Sequence, residues 1–155
     1  MATTRQRMLD EVADHVLALR LDHPTRVGID GHSAAGKTTF ADELAGALVA
    51  DGGFLQKPAL ARHWDLRIYL HIEVGDVLHR GTIRDQAWMD SAEAAAERYR
   101  TYYIPGEELY LAEIRPAEKA DIVIDNRDFR TPRIIRGLSD QGREDEPGTG
   151  RVTPA

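Results

Sequence analysis

The residues in this chain that most clearly could do chemistry are two glycines, a lysine and a threonine at fixed spacing. The arrangement G-x-x-x-x-G-K-T is formed by Gly31, Gly36, Lys37 and Thr38. An apolar strand candidate at residues 26–30 leads into it, and apolar residues at helical spacing follow it. A strand, this loop and a helix in that order are typical of loops that bind nucleotide phosphates. The pattern therefore predicts a phosphate-binding loop, the alternative being a glycine-containing turn before an ordinary amphipathic helix.

Each fixed position of the G-x-x-x-x-G-K-T pattern has a physical role. Gly31 and Gly36 can take backbone angles closed to other residues, so the loop can curl with its N–H groups directed at phosphate oxygens. Lys37 would add a full positive charge where the helix dipole is also positive. Thr38 would offer a hydroxyl to the magnesium ion that accompanies a nucleotide. We expect the nucleotide to contact the whole loop: Gly31, His32, Ser33, Ala34, Ala35, Gly36, Lys37, Thr38 and Thr39.

Length and composition narrow the class of protein. The chain has 155 residues, of which 42% are hydrophobic and 30% charged, and this predicts a globular domain over residues 1–136. From residue 137 onward small and polar residues dominate, so we expect a disordered tail over residues 137–155. The formal charge of -6 argues against nucleic acid or an anionic membrane as a partner. No run approaches the ~20 apolar residues that span a bilayer, and we expect a cytoplasmic protein.

The absence of cysteine removes several kinds of chemistry. With no cysteine in the sequence, disulfides, thiolate zinc sites and a cysteine nucleophile are excluded. The histidines show no metal-ligand spacing on one element. The candidate chemistry is therefore that of the phosphate-binding loop.

The rest of the chain alternates between helical and strand patterns. Asp90 and Glu93 have the spacing of a capping box at the start of one helix, and Pro105 is expected to interrupt that helix. Strands separated by helices indicate a three-layer α/β fold, in which a parallel sheet is covered on both faces and the loop lies at its carboxyl edge. The predicted strands are residues 26–30, 65–72 and 120–126, and the predicted helices are residues 4–21, 58–63, 74–85, 91–103 and 107–114.

The end of the helix after the loop is ambiguous. Helix propensity carries it through Ala50, with Asp51 and two glycines as a stop. Alternatively the helix ends near Gly46, and residues 47–51 form a short strand that ends on Asp51. An aspartate at that point would hold magnesium beside the phosphate loop, although the connection would be unusually short. Both interpretations remain open from the residues alone.

Several segments together resemble one family of enzymes. In chain order they are GHSAAGKTTFADELA, DGGFL, WDLRIYLHI, RGTIRD, SAEAAAERYRTYYIPGEELYLAEIRP and ADIVIDN. From Thr25 to Asn126 this order resembles the uridine kinase-like P-loop kinases, which are the nucleoside kinase relatives of phosphoribulokinase. The resemblance implies a P-loop NTPase fold of the nucleoside and nucleotide kinase type. It also implies an enzyme that uses ATP and Mg²⁺ to transfer the terminal phosphate to a hydroxyl of a nucleoside or another small molecule.

The same resemblance assigns roles to residues outside the loop. Arg80 and Arg84 lie four apart on one predicted helix face, a pattern that is most often a solvated surface. The resemblance makes them lid arginines that clamp the nucleotide phosphates and, with Lys37, stabilise the transition state. It makes Asp51 a magnesium ligand together with Thr38. Asn126, just after the last strand, would lie near the adenine.

One block of the family is missing from this chain. Relatives carry an acceptor-binding block, with the aspartate expected to act as general base, between the loop helix and the acidic strand. Here Leu44 runs almost directly into Asp51. By this interpretation the chain is a shortened member of the family that it resembles. Two hypotheses about its function follow. One is a uridine kinase-like phosphotransferase, and the other is a non-catalytic module that binds nucleotide.

Overall fold

The computed structural model of the chain describes residues 1–44 and 48–137. Within these ranges five strands form one sheet in the order β2-β1-β3-β4-β5. The strands are β1 (Arg26–Gly31), β2 (Leu48–Asp51), β3 (Leu66–His71), β4 (Ile122–Asp125) and β5 (Arg133–Arg136). The first four are parallel to their neighbours, and β5 is antiparallel to β4. This mostly parallel sheet confirms the predicted α/β architecture.

One helix precedes β1, and the other helices lie in the connections between the parallel strands. The helices are α1 (Thr4–Ala18), α2 (Lys37–Glu43), α3 (Pro58–Ala61), α4 (Val74–Asp85), α5 (Ala92–Arg98), α6 (Ile104–Ile114) and α7 (Pro116–Lys119), with a π-helical segment at Tyr99–Tyr103. None of the helices in the described ranges is long and apolar enough to cross a membrane.

Alternate residues of β3 show that both faces of the sheet are covered. Ile68 belongs to the main core, which includes residues of α1, α2 and α4. Its neighbour Tyr69 points to the other face and packs with Ala120, Val123 and partly buried residues of α6 and α7. Because successive side chains of a strand point to opposite faces, this arrangement requires a layer of helices on each side.

Residues 48–51 form an edge strand that ends on Asp51, so of the two alternatives the strand is confirmed and the continuation of the helix through Ala50 is wrong. Helix α2 ends at Glu43, and β2 pairs with β1 with Ile29 opposite Asp51. The hydrogen bond from the Leu48 amide to the Thr25 carbonyl, 3.0 Å, belongs to this pairing. Hydrogen bonding along the neighbouring strand outweighs the helix propensity of these residues. The alternative helix end near Gly46 falls outside the described residues.

Two local predictions about the middle of the chain are also wrong. The N-cap of α5 is Ser91, whose side chain accepts the Ala94 amide, and Asp90 instead has a left-handed φ of 68°. Pro105 does not interrupt the helix, because it lies in the first turn of α6, where a missing N–H costs little. The π-helical segment joins α5 to α6, so the chain remains helical from residue 92 to residue 114.

Arginine and aspartate side chains tie neighbouring strands together at the amino edge of the sheet. Asp65, just before β3, accepts the Arg26 backbone amide at 2.8 Å and its guanidinium at 2.8 and 3.0 Å. Asp121 makes the same set of hydrogen bonds with Arg67, one strand further along. These contacts fix the register of adjacent strands at the end opposite the phosphate loop.

The Asp65 contact predicts a specific loss of stability in acid. The hydrogen bond from the Arg26 guanidinium lowers the pKa of Asp65 from 3.8 to about 2. A depressed folded-state pKa contributes stability that is present above pH 3.8 and is lost as the pH falls toward 2. We therefore expect Asp65→Asn to lower the melting temperature by a few degrees at pH 7 and to lose less stability than the wild type between pH 4 and pH 2. Circular dichroism melts across this range measure both effects, and parallel curves for the two proteins would contradict the assignment.

Candidate functional site

The phosphate loop connects the carboxyl end of β1 to the start of α2 at Lys37. Gly31 has a φ of 152°, and a Cβ there would lie 2.5 Å from the Leu70 carbonyl oxygen of β3. Gly36, with a φ of 85°, is the N-cap of α2. Between them Ala34 has a left-handed φ of 59°, which is uncommon for a residue with a side chain and typical of functional loops. The loop is therefore curled by backbone conformations that depend on both glycines.

The Lys37 ammonium lies inside this curl. Its Nζ donates to the Gly31 carbonyl at 3.0 Å and to the His32 carbonyl at 2.6 Å. Burial lowers the pKa of Lys37, although the carboxylates of Glu107 and Asp30 oppose the shift. Because its partners are neutral carbonyls, an incoming anion can displace them and gain a full charge interaction.

A cleft of about 420 Å³ opens on the outer side of the loop. Four residues before α2 and the first three residues of α2 contribute to its wall, together with both arginines of α4 that the sequence singled out. The lining residues are Ser33, Ala34, Ala35, Gly36, Lys37, Thr38, Thr39, Arg80 and Arg84. The structure thus brings together most of the residues predicted for the site, whereas Gly31 and His32 contribute the carbonyls that hold Lys37.

Asp51 reaches the same place from the neighbouring strand. The Thr38 hydroxyl donates to Asp51 Oδ2 at 2.7 Å. A hydroxyl and a carboxylate are oxygen ligands, and Mg²⁺ in nucleotide sites is held by a few protein oxygens together with phosphates and water. The pair therefore fits a magnesium ion that arrives with a nucleotide. Within residues 1–44 and 48–137 no group of three or more His, Cys, Asp or Glu side chains is arranged to hold a metal ion.

Arg84 is held by a buried pair of side chains. Its Nε donates to Asp85 Oδ1 at 2.7 Å, and its Nη2 donates to Asp85 Oδ2 at 3.0 Å and to the Tyr99 hydroxyl at 2.9 Å. The Tyr99 hydroxyl in turn donates to Asp85 at 2.7 Å. The hydrogen bond from Arg84 is the main cause that lowers the pKa of Asp85. The carboxylate is therefore ionised at neutral pH and fixes the guanidinium beside the cleft.

Arg80 makes a different set of contacts. Its guanidinium donates to the backbone carbonyls of Asn126, at 3.1 Å, and of Arg127. A second, open cleft of about 600 Å³ lies beyond it, between α4 and residues 127–130. Arg80 and Arg84 line both clefts, so the two are adjacent. Exposed Ile83 and Phe129 make part of the second cleft apolar.

Asn126 lies beneath the loop. Its side-chain amide donates to the Ala35 carbonyl at 2.7 Å, and only 4% of the residue is exposed. A Cβ at Gly36 would come within 3.2 Å of the same amide nitrogen. In this structure Asn126 therefore supports the phosphate loop from β4, and the adjoining residues 127–130 border the second cleft.

Two buried carboxylates that the sequence analysis did not assign to the site hold the loop from behind. Glu107 of α6 accepts His32 Nδ1 and the Ser33 amide, each at 2.7 Å. Burial opposes the ionisation of Glu107, but these hydrogen bonds hold its pKa below the usual value. The pKa of Asp30 is raised by burial, although Tyr110, also on α6, donates a hydrogen bond to it. Neither contact has a local sequence signal, because α6 lies more than 70 residues from the loop.

Comparisons with known proteins agree with this geometry at the level of the fold. No protein-family model matches the chain, and no curated protein matches it. Among solved structures, it is similar to one described as a possible uridine kinase from Bacillus stearothermophilus. The match covers 76% of this chain and 97% of that one, with a TM-score of 0.54 and 15% sequence identity. The likeness therefore shows a P-loop kinase-like fold.

Proposed function

We propose that this protein binds ATP with Mg²⁺ and transfers the terminal phosphate to a hydroxyl of a small molecule, as uridine and nucleoside kinases do. The observation that carries the proposal is the hydrogen bond between Thr38, which lines the phosphate-loop cleft, and Asp51. It joins the hydroxyl after the loop lysine to a carboxylate from the neighbouring strand, which is the oxygen pair that a nucleotide-bound magnesium ion requires.

The charges around the cleft suit a triphosphate. Lys37 would exchange its carbonyl partners for phosphate oxygens, and the backbone amides at the start of α2 would add donors. Arg80 and Arg84 contribute two further positive charges to the lining of the cleft. When bound, magnesium would neutralise charge on the phosphates beside Thr38 and Asp51. Positioning and charge neutralisation of this kind account for most of the catalysis in phosphoryl transfer.

The second cleft is suited to a nucleobase. It adjoins the phosphate cleft at Arg80 and Arg84 and presents the exposed apolar side chains Ile83 and Phe129. Arg130 lies over the Phe129 ring, with its guanidinium carbon 5.8 Å from the ring centroid. A planar base with polar edges can pack against an aromatic ring and an arginine at such a site. We therefore place the phosphates at the loop and the base between α4 and residues 127–130.

A non-catalytic role in nucleotide binding is the alternative, and the surroundings of the carboxylates favour it. A kinase of this type needs a base near the acceptor hydroxyl. Asp30 is fully buried, Glu107 already accepts two hydrogen bonds, and Asp51 is committed to Thr38. In this alternative, bound nucleotide stabilises the fold or a contact with another molecule instead of reacting.

Two measurements separate these roles. Isothermal titration with magnesium-ATP, and with magnesium-GTP for comparison, tests binding, and absence of heat with either nucleotide would contradict both proposals. A phosphate-transfer assay with γ-³²P-ATP, screened over nucleosides and small sugars, tests the reaction. Labelled product from any acceptor supports the kinase. Binding without transfer in a screen that includes a known kinase as positive control supports the non-catalytic alternative.

Removing the charge of Asp51 is expected to remove most of the benefit that magnesium gives to ATP binding. In Asp51→Asn the amide keeps a hydrogen bond with Thr38 but supplies a weaker ligand for the cation. We expect magnesium-ATP affinity to fall about 10-fold, corresponding to the loss of roughly 1.4 kcal/mol, while affinity for ATP with EDTA changes little. Titrations with and without Mg²⁺ measure the difference. Equal losses under both conditions would show that Asp51 does not act through the metal.

A further inference from the structure

The two arginines of α4 have different partners although they lie on one helix face. Arg84 is held by the Asp85 carboxylate and the Tyr99 hydroxyl. Arg80 is held by the backbone carbonyls of Asn126 and Arg127. A carboxylate and a hydroxyl orient a charged group without covering it, whereas the carbonyls place Arg80 within the wall between the two clefts.

The support of Arg84 is rigid and leaves the charge accessible. Asp85 is 3% exposed and Tyr99 is fully buried, whereas the Arg84 side chain is 59% exposed. Gly81 allows the Tyr99 ring to lie against α4, because a Cβ at that position would be 2.2 Å from the ring. The hydrogen bonds of Arg84 use Nε and Nη2, which leaves Nη1 without a hydrogen bond to the described residues. Arg84 is therefore presented to the cleft with a nitrogen available for an anion.

The contacts of Arg80 instead shape the second cleft. The two carbonyls that it binds immediately precede residues 128–130, which form one wall of that cleft. Arg5 of α1 binds the same wall from the other side, since its Nη1 donates to the Phe129 carbonyl at 3.2 Å. Removing Arg80 would release one of these two attachments. We therefore expect the loss of Arg80 to change the wall of the second cleft around Phe129.

We propose that the two arginines divide the work of nucleotide binding: Arg84 is the phosphate ligand, with Asp85 and Tyr99 as positioning residues, and Arg80 holds the wall of the nucleobase cleft. This inference rests on the proposed nucleotide-binding function and assigns a part of the nucleotide to each arginine. In this proposal the two arginines do not both clamp the phosphates, as the family resemblance implies, but bind different parts of the nucleotide site.

Inorganic tripolyphosphate distinguishes the two contributions because it carries the phosphates without the base. The dissociation constants of magnesium-ATP and magnesium-tripolyphosphate are measured for wild type, Arg84→Ala and Arg80→Ala. The control is Arg20→Ala, an exposed arginine before β1 at the opposite edge of the sheet. We expect Arg84→Ala to weaken both ligands about 10-fold, which is the scale of one charged hydrogen bond. Arg80→Ala should weaken ATP about 10-fold and tripolyphosphate less than about threefold, and the control should change neither.

Several outcomes would overturn the division of roles. Equal weakening of the two ligands by Arg80→Ala would make Arg80 a phosphate ligand, and unchanged tripolyphosphate binding in Arg84→Ala would remove Arg84 from that role. If the wild type binds tripolyphosphate but not ATP, the phosphate site stands and the nucleobase cleft is wrong. If it binds neither, the proposed function fails and this inference fails with it.

A double-mutant cycle tests the positioning residues. Tyr99→Phe removes only a hydroxyl, and Asp85→Asn removes a charge, and circular dichroism verifies that each variant folds. If these residues act through Arg84, each weakens tripolyphosphate binding in the wild type and has no further effect in Arg84→Ala. If Tyr99 and Asp85 had only a structural role, their substitution would weaken binding by the same factor in both backgrounds, and that result would contradict the proposal. Tyr99→Phe alone decides the matter if Asp85→Asn does not fold.

Discussion

Replacing Lys37 with alanine is expected to weaken magnesium-ATP binding about 100-fold while the protein keeps its thermal stability. The affinity falls because the ammonium would donate charged hydrogen bonds to phosphate oxygens, and each such bond contributes roughly 1.5 to 3 kcal/mol. Stability is not expected to fall, because the Lys37 pKa is lowered by burial, so the charged side chain is a cost to the folded protein at neutral pH. Isothermal titration and a thermal melt measure the two quantities.

The matched control for this experiment is Lys119→Ala. Lys119 is exposed on α7, at the amino edge of the sheet just before β4, and it lines neither cleft. The same loss of positive charge at Lys119 is expected to leave ATP affinity within about twofold, since the interaction of exposed charges beyond a Debye length is screened. Equal losses from the two substitutions would mean that overall charge, and not the loop, determines binding.

Replacing Gly31 with alanine is expected to destabilise the protein by about 3 kcal/mol and to abolish nucleotide binding. Two costs combine, because the φ of 152° is strained for a residue with a side chain, and because the new Cβ would lie 2.5 Å from a backbone oxygen of β3. Relief of the clash requires β1 or β3 to move at the point where the loop begins. Urea unfolding measures the change in the free energy of unfolding, and titration with magnesium-ATP measures the change in the site.

The same substitution at Gly106 should have the opposite effect on stability. Gly106 lies in α6, and a Cβ there would meet no atom within 4 Å. Alanine is favoured over glycine in a helix by up to about 1 kcal/mol, so Gly106→Ala should be neutral or stabilising. If Gly31→Ala unfolds with the same free energy as Gly106→Ala, the loop does not have the backbone conformation described above.

The features that sequence could predict are those encoded locally. The loop residues from Gly31 to Thr39 have a spacing imposed by phosphate geometry. Strand β3 shows period-two alternation of apolar residues, and β4 is a short continuous apolar run suited to a buried parallel sheet. Strand β2 is different, because it is four residues long and is defined by its hydrogen bonds to β1. The residues alone therefore did not decide whether Asp51 ends a helix or a strand.

The contacts that could not be predicted join distant parts of the chain. Tyr99 reaches Asp85 across a turn between helices, and Glu107 reaches the loop from α6. Such contacts depend on how helices pack, and neither residue belongs to a short motif. Pro105 was misleading because its effect depends on position, since proline disrupts the interior of a helix but is tolerated in the first turn. The antiparallel strand β5, Arg133–Arg136, was also not predicted, because it is short and mostly exposed at the edge of the sheet. The disordered tail was expected over residues 137–155, and from residue 138 onward it lies outside the described part of the chain.

The most direct test of nucleotide binding is a titration of ¹⁵N-labelled protein with magnesium-ATP, followed by amide chemical shifts in ¹H–¹⁵N NMR spectra. We expect the largest shifts at the amides of Gly36, Lys37 and Thr38, where backbone N–H groups would donate to phosphate oxygens. Smaller shifts are expected at residues 127–130, and the amide of Arg20, at the opposite edge of the sheet, should not shift. Shifts that leave the loop amides unchanged at saturating nucleotide, or a spectrum with no change at all, would contradict the account.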